Sequence, residues 1–185
     1  NGKMVRNTWQ GAYYLKENGE MAKNEWIYDK NYSSWYYLAD NGHYVSDKWE
    51  KINGLWYHFR RGGELDTNQW VGSYYVKGSG SMAVNEWVYD KNYSSWYYFD
   101  GNGFYITDKW EKINGKWYHF RKYGELDTNK WIGSYYVKAD GMMAENEWIY
   151  DKNYGGKFYL QADGVYARNI VTIDGKKHAF QENGL

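Results

Sequence analysis

The chain has 185 residues, 23 basic and 23 acidic side chains, and neither cysteine nor proline. This balance argues against nucleic acid or an anionic membrane as partner, the lack of thiols removes disulfides and thiolate metal sites, and no apolar run is long enough to insert in a bilayer. Aromatic residues make up 22% of the chain, which at zero net charge argues against disorder and leaves Tyr and Trp to supply core that aliphatic residues normally build.

Residues 1–8, NGKMVRNT, match the NGEMAKNE that precedes Trp26. They are read as the tail of a repeat, so the chain is expected to be a fragment of a longer protein. From Trp9 onward the tryptophans recur with a period of 61 residues: Trp9, Trp70 and Trp131; Trp26, Trp87 and Trp148; Trp49 and Trp110. Whole words return with them, NEWIYDKNYSSWYY near Trp26, NEWVYDKNYSSWYY near Trp87 and NEWIYDKNYGGKFY near Trp148. Self-similarity of this kind marks units that bury their faces only against neighbours.

In chain order the expected units begin near Trp9, Trp26, Trp49, Trp70, Trp87, Trp110, Trp131, Trp148 and Val171. Asn53-Gly54, Asn114-Gly115 and Asp174-Gly175 lie between short aromatic and apolar runs and predict type I′ hairpin turns. In the other units the turn falls in QGA or VGS, or in the longer DKNYSS segment. WYY, YYL and YYV triplets are strand formers without a helical period. A glycine follows each hairpin (Gly19, Gly42, Gly63, Gly80, Gly103, Gly124, Gly141 and Gly164) and permits a bend to the next unit. Since a lone hairpin is marginal in water, the units must stack. The expected fold is all-β, a repeat solenoid or superhelix of about nine stacked β-hairpins spanning 1–185 as one module. Its last unit, residues 171–185, has lost its tryptophans and reads as an atypical terminal repeat.

Strand alternation assigns the faces: in Trp35-Tyr36-Tyr37-Leu38, Trp35 and Tyr37 share one side and Tyr36 and Leu38 the other. Rings at a seam between units can simply be core. An array of equivalent aromatic clusters also suits a quaternary ammonium, which has no hydrogen-bond donor and is held by cation–π attraction and shape, a use for which aromatic cages are known. Enzymes need one singular constellation. Here the acids Glu25, Glu86 and Glu147 and Asp29, Asp90 and Asp151 merely recur with the repeat, most simply as solubilising charges, and His43, His58, His119 and His178 have no metal-ligand spacing. No catalytic residue, metal site or cofactor is assigned.

The order W, WYY, G-x-M and W resembles the choline-binding repeats of pneumococcal and related surface proteins, over essentially the whole chain from NGKMVRNTW to IDGKKHAF. The resemblance implies a superhelix of hairpins binding choline between consecutive units, each site taking two Trp from one hairpin and a Tyr, often with a Met, from the next. Carried over by position, this gives Trp49, Trp56, Tyr75 and Met82, and one block later Trp110, Trp117, Tyr136 and Met143. Trp26 with Trp35 and Trp87 with Trp96 open two further sites. There His58 with Leu65 and His119 with Leu126 stand where Tyr and Met are expected, and Tyr57 and Tyr118 would fill the third wall under a different face assignment. Ala12, Ser73 and Ser134 occupy the second-Trp position after Trp9, Trp70 and Trp131, and Lys157 does so after Trp148; those seams are expected to be structural. The lysines Lys51, Lys77 and Lys138 are available for a phosphate.

The implied partner is choline or phosphocholine on teichoic acids, the implied location a secreted protein on the bacterial cell wall. A catalytic domain, a peptidoglycan hydrolase of glycosidase type, is expected elsewhere in the parent chain. Three rings suggest about −4 kcal/mol per site, roughly millimolar, so wall attachment needs several sites engaged together. Two rivals remain. The hairpin VTIDGKKHAF also resembles glucan-binding repeats, which put Lys or a smaller residue where Trp35, Trp56, Trp96 and Trp117 stand. The other rival is a structural spacer or an adhesin for a host protein.

Overall fold

The structure, a computed structural model, describes residues 2–185. Eighteen strands form nine two-stranded sheets, each made from consecutive strands, and no helix occurs among the described residues. Three hairpins are short: Thr8–Gln10 with Tyr13–Leu15, Gln69–Val71 with Tyr74–Val76, and Lys130–Ile132 with Tyr135–Val137. The others have five-residue strands, such as Glu25–Asp29 with Ser34–Leu38 and Lys48–Ile52 with Leu55–Phe59. The last, Asn169–Ile173 with Lys176–Phe180, starts two residues ahead of Val171. The chain condenses into two units, one running to Glu86 and including Phe99–Phe104, the other comprising Trp87–Tyr98 and Tyr105–Leu185.

Turn chemistry sets each register. Asn53 and Gly54 both take positive φ (48° and 83°), the type I′ geometry that places Trp49 opposite His58 and Lys51 opposite Trp56. In the short hairpins Gly72 takes φ 61° while Ser73 does not follow it, as in a type II′ turn, and Trp70 falls opposite Tyr75. The DKNYSS segment closes a four-residue loop between Asp29 and Ser34, held by the Asp29 carboxylate, which accepts the backbone N–H of Asn31 at 2.7 Å.

One backbone bond recurs where a hairpin meets its successor. The N–H of Leu65 donates to the Trp35 carbonyl (2.9 Å), that of Met82 to Trp56 (2.8 Å), that of Leu126 to Trp96 (3.0 Å) and that of Met143 to Trp117 (2.8 Å). In the short hairpins Tyr44 donates to Ala12 and Tyr166 to Ser134. Each of the eight hairpins that open with Trp is entered through an Asn or Asp two residues ahead of it, with φ near 50° (Asn7, Asn24, Asp47, Asn68, Asn85, Asp108, Asn129 and Asn146). These are the non-glycine residues that best tolerate the left-handed region.

The core is a series of small local clusters, as expected of a repeat array. Val45, Ile52, Phe59 and Leu65 form one, with Trp26, Tyr37, Ala39 and Tyr57 against it. Its centre differs from the sequence expectation. The large apolar side chains that are fully enclosed are Leu38, Phe59, Val76, Phe99, Phe120, Val137 and Leu160, each the last residue of a second strand. No Trp is fully buried among the described residues, because each lies at a seam with part of its ring open to solvent.

Candidate functional site

Four cavities of one build lie at seams between hairpins, two in each unit. In the first unit one of about 260 Å³ is lined by Trp49, Trp56, Tyr74, Met82 and Asn102. Another, of about 270 Å³, is lined by Trp26, Trp35, Tyr57, Leu65 and Ser79. In the second unit Trp110, Trp117, Tyr135, Met143 and Asp163 line about 290 Å³. Trp87, Trp96, Tyr118, Leu126 and Asp140 line about 260 Å³. These volumes are at the small end for ligand pockets.

The construction follows from strand alternation. Cross-strand pairing puts the opening Trp and the second Trp of a hairpin on one face, and that face looks onto the opposite face of the next hairpin. There Tyr57 approaches Trp26 edge to face at 4.9 Å and Tyr74 approaches Trp49 at 5.5 Å. The second repeat reproduces both contacts, Tyr118 on Trp87 at 4.9 Å and Tyr135 on Trp110 at 5.5 Å. Leu65, Met82, Leu126 and Met143 form the floors, pinned by the backbone bonds to the second Trp. The second Trp forms the open wall, Trp35 and Trp96 being 46% exposed and Trp56 40%. The result is an electron-rich, partly open box of three rings and an apolar floor with one polar side chain (Ser79, Asn102, Asp140 or Asp163) in its lining, an environment that favours an alkylated cation.

Of the residues expected from the sequence, Trp26, Trp35, Trp49, Trp56, Trp87, Trp96, Trp110 and Trp117 come together in pairs, each pair with its floor Leu65, Met82, Leu126 or Met143. The third walls differ by one position. Tyr75 is buried on the opposite face, packed on Trp70 at 5.3 Å and Phe99 at 6.1 Å. Tyr136 likewise packs on Trp131 at 5.0 Å. A one-residue step in a strand changes the face, so Tyr74 and Tyr135 line the cavities instead.

His58 and His119 are corrected in the same way. Each shares a face with the opening Trp of its own hairpin, 5.1 Å from Trp49 or Trp110. His58 Nδ1 donates to Asp66 at 2.6 Å, and Asp66 also accepts from Arg60 and Gln69. His119 bonds Asp127 at 2.7 Å, with Arg121 at 2.6 Å and Lys130 at 3.3 Å completing the cluster. Burial alone would raise the Asp127 pKa. The hydrogen bonds from Arg121 and His119 and the charge of Lys130 outweigh it and hold the carboxyl below its ordinary value. These histidines brace the frame and leave the third walls to Tyr57 and Tyr118.

The short-hairpin seams at Trp9 and Trp131 are filled. Trp9 packs edge to face on Tyr14, Tyr36 and Tyr44, and its indole N–H donates to Asp29 at 2.6 Å. Trp131 packs on Tyr136, Phe158 and Tyr166 and donates to Asp151 at 2.8 Å. Tyr44 and Tyr166 occupy the floor position and fill the space left by the missing second Trp. Asp29, Asp90 and Asp151 are therefore buried and not the solubilising charges their recurrence suggested. Burial would raise the Asp151 pKa, but the Trp131 N–H and the backbone N–H of Asn153 and Tyr154 bring it below normal. After Trp148 the second-Trp position is Lys157, and the ring packs on Tyr159, His178 and Phe180.

Fold and site together define a repeat module whose aromatic clusters are built between consecutive hairpins. The choline-binding repeat family matches residues 3–34, 64–105 and 125–166, and the cell wall binding repeat matches residues 47–65 and 108–126. The chain belongs to the choline-binding repeat family. It is 36% identical over 168 residues to a Streptococcus pneumoniae protein described as an endo-beta-N-acetylglucosaminidase, covering 80% of this chain and 26% of that one. It is 40% identical to the modular autolysin LytC of the same species, with a TM-score of 0.78 over 95% of this chain and 42% of LytC. A structure of CbpF in complex with ipratropium is 26% identical, with a TM-score of 0.59 over 87% of this chain and 58% of that one. The chain thus spans about a quarter of the endo-beta-N-acetylglucosaminidase and less than half of LytC.

Two features of the site escaped the sequence reading. The third-wall tyrosines were available from turn length, since a two-residue turn at Gly72-Ser73 already sets Trp70 opposite Tyr75. The rim residues Ser79, Asn102, Asp140 and Asp163 each precede a positive-φ glycine two hairpins beyond the opening Trp, a distance no local pattern reports.

Proposed function

We propose that this chain is a non-catalytic attachment module that binds phosphocholine on cell-wall teichoic and lipoteichoic acids. The observation that carries the reading is the fourfold recurrence of one box, Trp-Trp-Tyr with a Leu or Met floor. A trimethylammonium group can enter it, shed water and meet three ring faces. Each cation–π contact contributes about 0.5–2 kcal/mol, so a single cage binds at roughly millimolar strength. Several cages on one polymer of repeated phosphocholine groups gain about 10²–10⁴ in avidity. The hairpins are read as stacking into a solenoid that presents the cages along its length. Ipratropium, present in the CbpF structure, is itself a quaternary ammonium salt, in keeping with a cage that reads the cation.

The reading places the parent protein outside the cell, held at the wall, with a peptidoglycan-cleaving domain in another part of the same chain. A glucan-binding role is the second reading, supported by 30% identity over 157 residues to the glucosyltransferase-S of Streptococcus mutans. Four second-position tryptophans favour choline over it.

Calorimetry with choline chloride, sodium chloride and soluble dextran, alongside thermal unfolding, separates the two. Saturable millimolar binding of choline, with a Tm that rises with its concentration, is expected. A response to dextran and none to choline would overturn the assignment.

A further inference from the structure

The near-identical repeats hold a comparison within one molecule. The cavity at Trp26 and Trp35 and that at Trp87 and Trp96 have the same walls, floor and ring geometry, the Trp–Tyr approach being 4.9 Å in both at 64° and 63°. Tyr28 and Tyr89 flank the second Trp at 5.2 and 5.3 Å. The lysine at the foot of the rim turn is paired in both, Lys77 with Glu86 at 2.9 Å and Lys138 with Glu147 at 3.1 Å. What changes in the lining is the rim, Ser79 in the first and Asp140 in the second.

Gly80 and Gly141 take φ near 80° where a Cβ would collide with Leu65 and Leu126, and Ser79 and Asp140, just before them, line the cavities. Asp140 is exposed, and its carboxylate accepts the Met142 N–H at 2.9 Å. Its charge reaches the third wall: the Tyr118 pKa is raised by burial and then by Asp140. Lys116 stands where the first repeat has Leu55, on the same face as Tyr118 but outside the lining. The other pair of cavities repeats the contrast, Asn102 at one rim and Asp163 at the other, with Lys51 and Lys112 lying over the second Trp in both.

We infer that the acidic rim of Asp140, and with it Asp163, makes the second unit's cages discriminate against a phosphate on the ligand, whereas the neutral rims of Ser79 and Asn102 accept one. The inference rests on the cavities being choline cages. A cation in the box is attracted by Asp140 whether or not it carries a phosphate. A phosphate monoester, which bears about −1.5 to −2 charges at neutral pH, must leave the mouth past that carboxylate. At Ser79 it meets a hydroxyl that can donate a hydrogen bond. Two unit charges about 5 Å apart in water interact enough to alter an affinity roughly fourfold, and a phosphate monoester with about −1.5 to −2 charges roughly tenfold.

The test follows the indole N–H resonances of Trp35 and Trp96 by NMR, assigned with Trp35→Phe and Trp96→Phe, while choline chloride or phosphocholine is added. Choline should shift both. The ratio of phosphocholine to choline dissociation constants should be about tenfold larger at Trp96 than at Trp35, and the gap should narrow with added salt. Asp140→Ser should abolish the difference and Ser79→Asp should produce it at Trp35; both changes are in an exposed turn, and exchanging the rims alone leaves Lys116 in place. Equal ratios at the two indoles, or a gap that ignores the rim exchange, would overturn the inference while the choline reading stands. No response to choline at either indole would overturn both.

Discussion

Met82 donates its backbone N–H to the carbonyl of Trp56 across 2.8 Å, joining the floor of one cavity to its open wall through main chain alone. The bond uses no side-chain atom of either residue, so only proline at 82 would remove its donor. Trp56→Ala should therefore remove a wall and leave the frame: about one choline site fewer by calorimetry, with little change in Tm, because the ring is 40% exposed. Trp117→Ala should repeat the result. Trp131→Phe should do the opposite. It leaves the buried Asp151 carboxylate without its indole donor and should cost about 1–3 kcal/mol in urea unfolding with the number of sites unchanged.

Neighbouring tyrosines separate binding from packing more sharply. Tyr74 approaches Trp49 in a cavity, whereas Tyr75 is buried behind it against Trp70 and Phe99. Tyr74→Leu should weaken choline at that cage by roughly twofold to thirtyfold, the range of one cation–π contact, and hardly alter stability. Tyr75→Ala should cost about 3–5 kcal/mol of stability, as large-to-small changes in a packed core do. The reverse pattern would restore Tyr75 as the third wall.

The local architecture was legible where one residue type carries one geometry. Asn-Gly turns, post-hairpin glycines and the Trp period all stand in the chain as consecutive letters. Pairing Trp26 with Trp35 and Trp49 with Trp56 was implied by the resemblance to choline-binding repeats, and the register within each hairpin sets both rings of a pair on one face. The third wall depends on which face of the next hairpin turns back, and two adjacent tyrosines in YYV and a Tyr-His pair in WYHF offer both choices. Only the register set by the turn decides between them. The buried roles of Asp29 and Asp151 were hidden because their partners, Trp9 and Trp131, lie 20 residues earlier in the chain.

Tyrosine and aspartate burial sets two pH limits. Tyr36 and Tyr97 are pushed up to about 12, first by burial and then by the charges of Glu64 and Glu125 respectively. A raised folded-state pKa favours the neutral phenol, so its stabilisation is whole below the unfolded value of about 10 and is lost as pH rises through about 12. Asp127 and Asp151 have the opposite sign. Their lowered values stabilise the fold above the unfolded carboxyl pKa near 3.9, and that contribution disappears as pH falls below it. Tm should hold between pH 5 and 9 and decline on both sides, roughly. Tyr97→Phe should soften the alkaline decline and Asp151→Asn the acid one.

The turn glycines allow strain and crowding to be measured apart. Gly115 has φ 79° with nothing within 4 Å of where a Cβ would stand, so Gly115→Ala meets backbone strain alone, about 1–2 kcal/mol. Gly141 has nearly the same φ, 80°, but a Cβ there would lie 2.6 Å from Leu126 Cδ2 and 2.9 Å from its Cγ. Leu126 is buried and tied by its backbone to Trp96, so it has little room to withdraw. Gly141→Ala should add an overpacking cost of about 1–3 kcal/mol to the same strain and displace the cavity floor. Urea unfolding of the two variants, with choline titration of each, tests this: Gly115→Ala should bind as the parent does, whereas Gly141→Ala should be less stable and weaken the Trp87–Trp96 cage. Equal stability losses and unchanged binding in both would mean that Leu126 yields freely and that the floor is not held by the turn behind it.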